Sequence, residues 1–265
     1  MWAREYIGFD APASGAGPIA NRSRIPTGQS NLDQIVGDYS NPILKPAAVE
    51  VIRQRGEIAL SGRVAPDMFN QCGPQQTPSM LIHQQFQLIQ QEDQVVILYM
   101  FDHHFRRVRL NEQHPATVIP SWSGDSVGRY EGDTLVVDTV GLKVGPLSMV
   151  DMFGTPQSEA LHVVERYRLI DYQAAIEAEK QSEKEHIHIL PVFAVGDGIA
   201  VDPDYKGKAL QLEFTVNDPN VVNTSWSATS TFRRAGGDWV ERVCAENTRE
   251  FGAERQLPRD DTADF

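Results

Sequence analysis

The sequence predicts an all-β protein built as an antiparallel up-and-down β-barrel with a few peripheral helices. Three observations carry the prediction. Short stretches with a two-residue apolar period recur through the middle and end of the chain, as in His83–Gln90 and Phe105–Asn111. Two-residue glycine turns, Gly132-Asp133 and Gly236-Gly237, join neighbouring stretches. Little helical pattern separates them, so sequential strands are antiparallel, and closing the sheet removes its exposed edges. At 265 residues the chain can bury one full core without a second domain.

Residues 1–45, rich in Gly, Pro, Ser and Asn, are expected as an extended arm over the body or a neighbouring subunit. Pro46 suits the first turn of a helix to Ile58, with Ala48, Val51, Ile52 and Ile58 as its apolar face. Gly62–Pro78 is a loop around Cys72, and strands follow at His83–Gln90, Gln94–Phe101 and Phe105–Asn111. Glycine in the first central position makes Gly132-Asp133 a type II′ hairpin. That register pairs Glu131 with Thr134, Arg129 with Val136 and Val127 with Asp138 on one face. Tyr130 with Leu135, Gly128 with Val137 and Ser126 with Thr139 occupy the other. Glu159–Ile170 is a long strand, and Tyr172–His186 has the composition of an exposed helix. Leu210–Val216, Ser227–Arg233 and Trp239–Cys244 complete a barrel spanning 46–252, with an insertion at 172–208 and a flexible tail at 253–265.

The stretch Ser123-Gly-Asp-Ser-Val-Gly-Arg-Tyr-Glu-Gly-Asp-Thr-Leu-Val-Val-Asp-Thr-Val-Gly141 resembles the phrase "GxSxGxWEGDTLVVDT" of a large bacterial family. Its members are mostly uncharacterised and many carry a secretion signal. Asp151, the segment Gly154–Tyr167 ending in His-Val-Val-Glu-Arg-Tyr, Asp218-Pro219 with Trp226, and Cys244-Ala-Glu-Asn247 extend the resemblance over roughly the last two thirds of the chain. Tyr130 replaces the family's usual tryptophan, and the 172–208 segment and the N-terminal extension are additions. The resemblance implies the fold and assigns no chemistry. Cys72-Gly-Pro and Cys244-Ala-Glu-Asn both match family phrases. Two reduced thiols, or a disulfide in an exported protein, satisfy the pattern.

A net charge of −12 argues against nucleic acid and anionic membrane as partners. No apolar run approaches the ~20 residues that span a bilayer. Met1-Trp-Ala-Arg-Glu-Tyr6 has no signal-peptide pattern, so the chain as written is cytoplasmic, or periplasmic or secreted if it is a mature form. The apolar run from Ile187 to Val195 in the insertion must cover something, a barrel mouth or a second copy in a homodimer.

For chemistry, Glu165 lies between Val163 and Tyr167 on an otherwise apolar strand face, where burial should raise its pKa and suit it to acid–base work. Pairing with an arginine is the competing structural reading. Asp138 interrupts an apolar strand, as an ion-paired outer residue or a group holding water in a lumen. Asp151 lies in a loop at a strand end, where function concentrates. His104, beside Asp102 and His103, is a turn residue or a mouth-facing acid–base group, and His162 lies on the face opposite Glu165. Tyr130, Trp122, Tyr167, Phe153 and Arg129 are the candidate substrate-binding residues. No zinc, nucleotide or serine-elbow motif accompanies them, so neither metal nor cofactor is expected. The expected function is a cofactor-independent hydrolase or lyase for a small aromatic or apolar molecule, with ether cleavage such as that of an aryl ether tried first. The rivals are a lipocalin-like carrier and a purely structural protein. An enzyme needs a cavity carboxylate or imidazole without a permanent partner, a carrier does not, and a structural protein has a filled lumen.

Overall fold

A computed structural model describes residues 1–186 other than 27, 32, 83 and 84, together with 200–237, 239, 243 and 244. Its strands are β1 (Trp2–Ala3), β2 (Phe86–Gln90), β3 (Gln94–Tyr99), β4 (Phe105–Leu110) and β5 (Asp125–Glu131). They continue with β6 (Thr134–Val140), β7 (His162–Ile170), β8 (Ala200–Val201), β9 (Ala209–Asn217) and β10 (Trp226–Gly236). The order β1-β2-β3-β4-β5-β6-β7-β9-β10 returns to β1 through a β1–β10 pairing, giving a closed nine-strand barrel to which β8 adds beside β10. The expected all-β barrel is present.

The hairpin between β5 and β6 has the predicted register at every pair from Glu131–Thr134 to Ser126–Thr139. Gly132 has φ +64°, the conformation that the first central position of a II′ turn demands. One pairing departs from an up-and-down barrel: β4 and β5 are parallel. The segment 111–124 therefore crosses from one rim to the other instead of turning tightly. Gly128 serves this contact, since a Cβ there would lie 2.7 Å from Val108 Cγ1. After Gly236 and Gly237 the predicted strand Trp239–Cys244 lies largely outside the described residues.

Helix α1 (Pro46–Leu60) starts on Pro46 as expected, but it buries Ala48, Ile52 and Gly56 and leaves Val51 exposed. The i, i+4, i+8 face is a narrower stripe than the one read from the sequence. Helix α2 (Tyr172–Glu185) is capped by Asp171, whose side chain accepts the Ala174 N–H at 2.8 Å. The apolar run of the insertion falls in 187–199, outside the described residues. The arm 1–45 lies over the body: its first strand closes the barrel, and Asp10 bridges Thr229 while Leu44 bridges Val222.

Alternation along the strands fills the lumen with side chains. Phe86, Ile97, Val137, Val163, Leu212 and Phe232 are fully or almost fully buried, and the Phe86 and Phe232 rings meet edge to face at 4.9 Å. The barrel is a packed core, the filled lumen expected of the structural rival, so a site inside the lumen is not available and space for a ligand lies at its rim. The strand directions put 100–104, 141–161 and 218–225 at one rim, with the Gly132 turn at the other. Cys72 and Cys244 are joined as a disulfide with Cα atoms 5.3 Å apart, which settles the alternatives in favour of the bond. The bond ties residues 172 positions apart beside the first of these rims.

Candidate functional site

The candidate residues separate into three places. Glu165, Val163 and Tyr167 do share the inward face of β7. Glu165 is 0 % exposed, and it is locked in place. Its Oε2 lies 2.8 Å from Arg106 Nη2 and its Oε1 accepts bonds from Arg106 Nη2 at 2.9 Å and Tyr167 Oη at 2.7 Å. Arg106 also bonds Thr77 Oγ1. Burial alone would lower the Arg106 pKa, but Glu165, Tyr99 and Tyr167 outweigh it and raise it. The Tyr167 phenol is pushed far up by burial and then by Glu165. The competing structural reading of Glu165 therefore describes its surroundings, with the arginine reaching across the lumen from β4.

Asp138 and His162 meet on the outer face. His162 Nε2 is 2.8 Å and His114 Nε2 3.0 Å from Asp138 Oδ1. His114 Nδ1 is 2.5 Å from Asp125 Oδ1, and Arg109 grips Asp125 through bonds of 2.8 and 3.1 Å. A carboxylate at each ring nitrogen of His114 favours the form in which both donate, the imidazolium. Burial alone would lower its pKa; the hydrogen bonds to Asp125 and Asp138 outweigh this and raise it. Arg129 pairs with Glu131 near the hairpin tip, and Tyr130 there is 47 % exposed. These two lie at the rim away from the cavities described next.

The remaining candidates collect at the other rim, around adjoining cavities. One, of about 210 Å³, is walled by Ile7, Ile35, Met68, Ile82, Met149 and Met152, with Asp151 at its side. Asp151, Met152 and Ile82 also border a second, of about 90 Å³, which Phe153 lines. His104 borders two others, of about 280 and 600 Å³, and Trp122 lines the larger. His104 Nε2 is 3.2 Å from Ser123 Oγ, and burial, then the Arg106 charge, lowers its pKa.

Asp151, like Glu165, has one carboxylate oxygen without an aligned hydrogen bond, but unlike Glu165 it has no salt bridge among the described residues. It is 2 % exposed, and Oδ1 accepts the Phe153 and Thr155 N–H groups at 2.9 and 3.1 Å. Burial raises its pKa, and the Thr155 hydroxyl and these amides offset the rise only in part. Neither Thr155 Oγ1 nor any other group among the described residues makes an aligned hydrogen bond to Oδ2. The loop shape comes from Gly154, at φ +81°, which folds the chain back so that both amides point at one oxygen.

Sequence reasoning gave no acid–base role to two histidines, reading His186 with His188 only as a weak metal-ligand pair and passing over His114. His114 lies in the 111–124 crossing, where no periodicity places a residue. His186, at the end of α2, stands 3.0 Å from Asp10 and borders the same small cavity as Asp151. Asp10 and His186 are brought together by the packing of the arm against α2, a long-range event with no local sequence signal. Among the described residues no cluster of three His, Cys, Asp or Glu side chains is arranged to hold a metal ion, and no helix is long and apolar enough to cross a membrane. No known protein family, curated protein or solved structure matches the chain.

Proposed function

We propose that the protein is an acid–base hydrolase or lyase for a small apolar or aromatic molecule, with ether cleavage as its reaction and Asp151 as a proton-transferring group. The observation that carries this reading is the half-satisfied carboxyl of Asp151 beside an apolar cavity. Burial raises the pKa of this carboxyl, so it holds its proton more readily than an exposed aspartate and can give it to a leaving oxygen. A cavity of about 210 Å³ is on the scale of one aromatic ring with a substituent; an engineered apolar cavity of roughly 150 Å³ takes benzene. The thioethers of Met68, Met149 and Met152 suit such a ring, being polarisable and adaptable. Glu165 supports the fold and is not the proton-transferring group in this reading.

The test is turnover of benzyl phenyl ether and a panel of alkyl aryl ethers, with released phenol measured by chromatography. Asp151→Asn should keep both backbone hydrogen bonds and lose roughly 10²–10⁴-fold in kcat. Release of phenol by the variant at the wild-type rate would remove Asp151 from the chemistry. Tight binding of the ethers by the unaltered protein with no product would favour the carrier.

A further inference from the structure

We propose that Ser123 and His104 form a nucleophile–base pair, and that the rim groove they line is an acyl-transfer site for small aryl carboxylic esters. The site is separate from Asp151 and does not depend on the ether reaction.

Two turns from distant parts of the chain build the pair. The first spans 99–104, closed by the Tyr99 N–H on the His104 carbonyl at 2.8 Å. Asp102 and His103 are both left-handed, at φ +54° and +45°, and Asp102 Oδ1 accepts the Cys244 N–H at 2.6 Å. Two such residues in succession are costly away from glycine, and they gather where a site needs a side chain held in one place. The second turn spans 121–124. The Ser121 N–H bonds the Gly141 carbonyl at 3.0 Å, and the Ser121 carbonyl accepts the Gly124 N–H at 3.2 Å. Gly124 has φ +69°, and a Cβ there would lie 2.8 Å from the Val140 carbonyl oxygen, so only glycine seats this turn against β6. Packed together, the turns put Ser123 Oγ 3.2 Å from His104 Nε2 and 3.5 Å from the Phe105 carbonyl oxygen. That first distance is within the reach of a nucleophile and its base. No strand–turn–helix elbow leads into Ser123, so packing and not local sequence makes the pair.

The surroundings suit a base and an ester. Burial, then the Arg106 charge, lowers the His104 pKa against the opposing pull of Asp102. The imidazole is therefore mostly neutral at pH 7, with a lone pair that can take the Ser123 proton. The groove, of about 600 Å³, holds the Trp122 ring and Phe105, which is 62 % exposed. His104 also borders the adjoining cavity of about 280 Å³, walled by Met80, Tyr99 and Phe101. An aryl group on Trp122 and Phe105, with an apolar acyl group turned toward Met80, brings the ester carbonyl to Ser123. Arg107 shares the outer face of β4 with Phe105 and lines the same groove. It bonds the neutral Gln94 and forms no salt bridge among the described residues, so its charge is available to the oxyanion. The other charged or titratable groups at the groove are Asp102 and His103 from the first turn, Arg109 from β4 and its partner Asp125 from β5. Lys143 lies over the Trp122 ring, 5.1 Å from its centroid.

Ser123 Oγ forms a bond to the ester carbonyl carbon as its proton passes to His104 Nε2. The carbon–oxygen bond to the aryl alcohol breaks with its electron pair on the leaving oxygen, which takes that proton. Water then repeats the sequence on the acyl-serine, releasing the carboxylic acid and restoring Ser123, and one water is consumed.

The experiment gives the full chain p-nitrophenyl butyrate and, separately, a fluorophosphonate, and reads nitrophenolate release and intact mass. A single butyryl or phosphonyl group should appear on the wild type and map to Ser123, and the phosphonyl group should block ester turnover. Ser123→Ala and His104→Gln should each cut turnover by roughly 10²–10⁴-fold. Acylation should rise with pH through a midpoint below 6.5, where His104 loses its proton. Turnover that survives Ser123→Ala, or a label on any other residue, would overturn the pair. A wild-type chain with neither label nor ester turnover would overturn the acyl-transfer site, whatever the ether assay shows.

Discussion

Asp151 and Glu165 are both carboxylates withdrawn from water, and the chain surrounds them in opposite ways. Glu165 has Arg106 and Tyr167 on its two oxygens, deep in a lumen already filled by Phe86, Val163 and Phe232. Asp151 has two amides on one oxygen, no aligned bond on the other, and an apolar cavity beside it. A buried carboxylate ion-paired to an arginine holds neighbouring strands in one arrangement; one without an ion pair has capacity left for a ligand. Burial alone therefore does not mark a functional acid. What separates Asp151 is its place beside a cavity with no salt bridge among the described residues.

The largest expected effect comes from breaking the locked member. Glu165→Gln is nearly isosteric, and from the sequence it would be expected to fold normally. In the structure it strands the Arg106 charge inside the barrel, so it should cost about 3–5 kcal/mol in urea unfolding. Replacing Arg106 and Glu165 together by Met should cost less than that single change, because no charge remains unpaired. Equal losses for the single and double variants would mean that shape, and not charge, holds the lumen.

Next is the disulfide. Cys72→Ser with Cys244→Ser should lose about 2–4 kcal/mol, since the bond closes a long loop. Cys72 borders a rim cavity, so amide exchange should rise first across 66–80 and last in β7. The reverse order would erase the distinction between a firm interior and a softer rim.

Asp151→Asn should change stability by no more than about 1 kcal/mol, because both backbone bonds to Oδ1 survive. Its sign depends on pH. A carboxyl whose pKa is raised on folding stabilises fully below its unfolded value, near 3.8, and that contribution is lost as pH rises through the folded value. The variant should thus gain on the wild type as pH climbs above about 4. A variant that instead weakened with rising pH would mean that the Asp151 pKa is depressed by folding.

The smallest effect concerns the outer face. His114, raised above its ordinary 6.5, should contribute stability below that pH and lose it as pH rises through the folded value. His114→Ala should therefore flatten the stability profile above pH 6.5 by a few tenths of a kcal/mol, without touching turnover.

The contrast between the two acids also explains what the sequence could and could not tell. Strand periodicity and the Gly132 turn fix the β5–β6 register to the residue, because alternation and a two-residue turn leave one solution. The inward face of β7 is legible for the same reason, including the burial of Glu165. Its partner is not, since Arg106 alternates with exposed neighbours on β4 and nothing local says it crosses the lumen. The parallel β4–β5 pairing was hidden because an irregular crossing has no period, and His114 was hidden with it. Asp151 was identified only as a loop residue at a strand end. Its significance comes from two amides on one oxygen and three methionines around a space, which packing creates.

The most direct test of the central claim is the protonation state of the Asp151 carboxyl, followed by ¹³C NMR across a pH titration with and without phenol in the rim cavity. The account predicts a midpoint above the ordinary carboxylate value that moves when phenol binds. A midpoint at or below the ordinary value, indifferent to phenol, would contradict it and return Asp151 to the role of a loop brace.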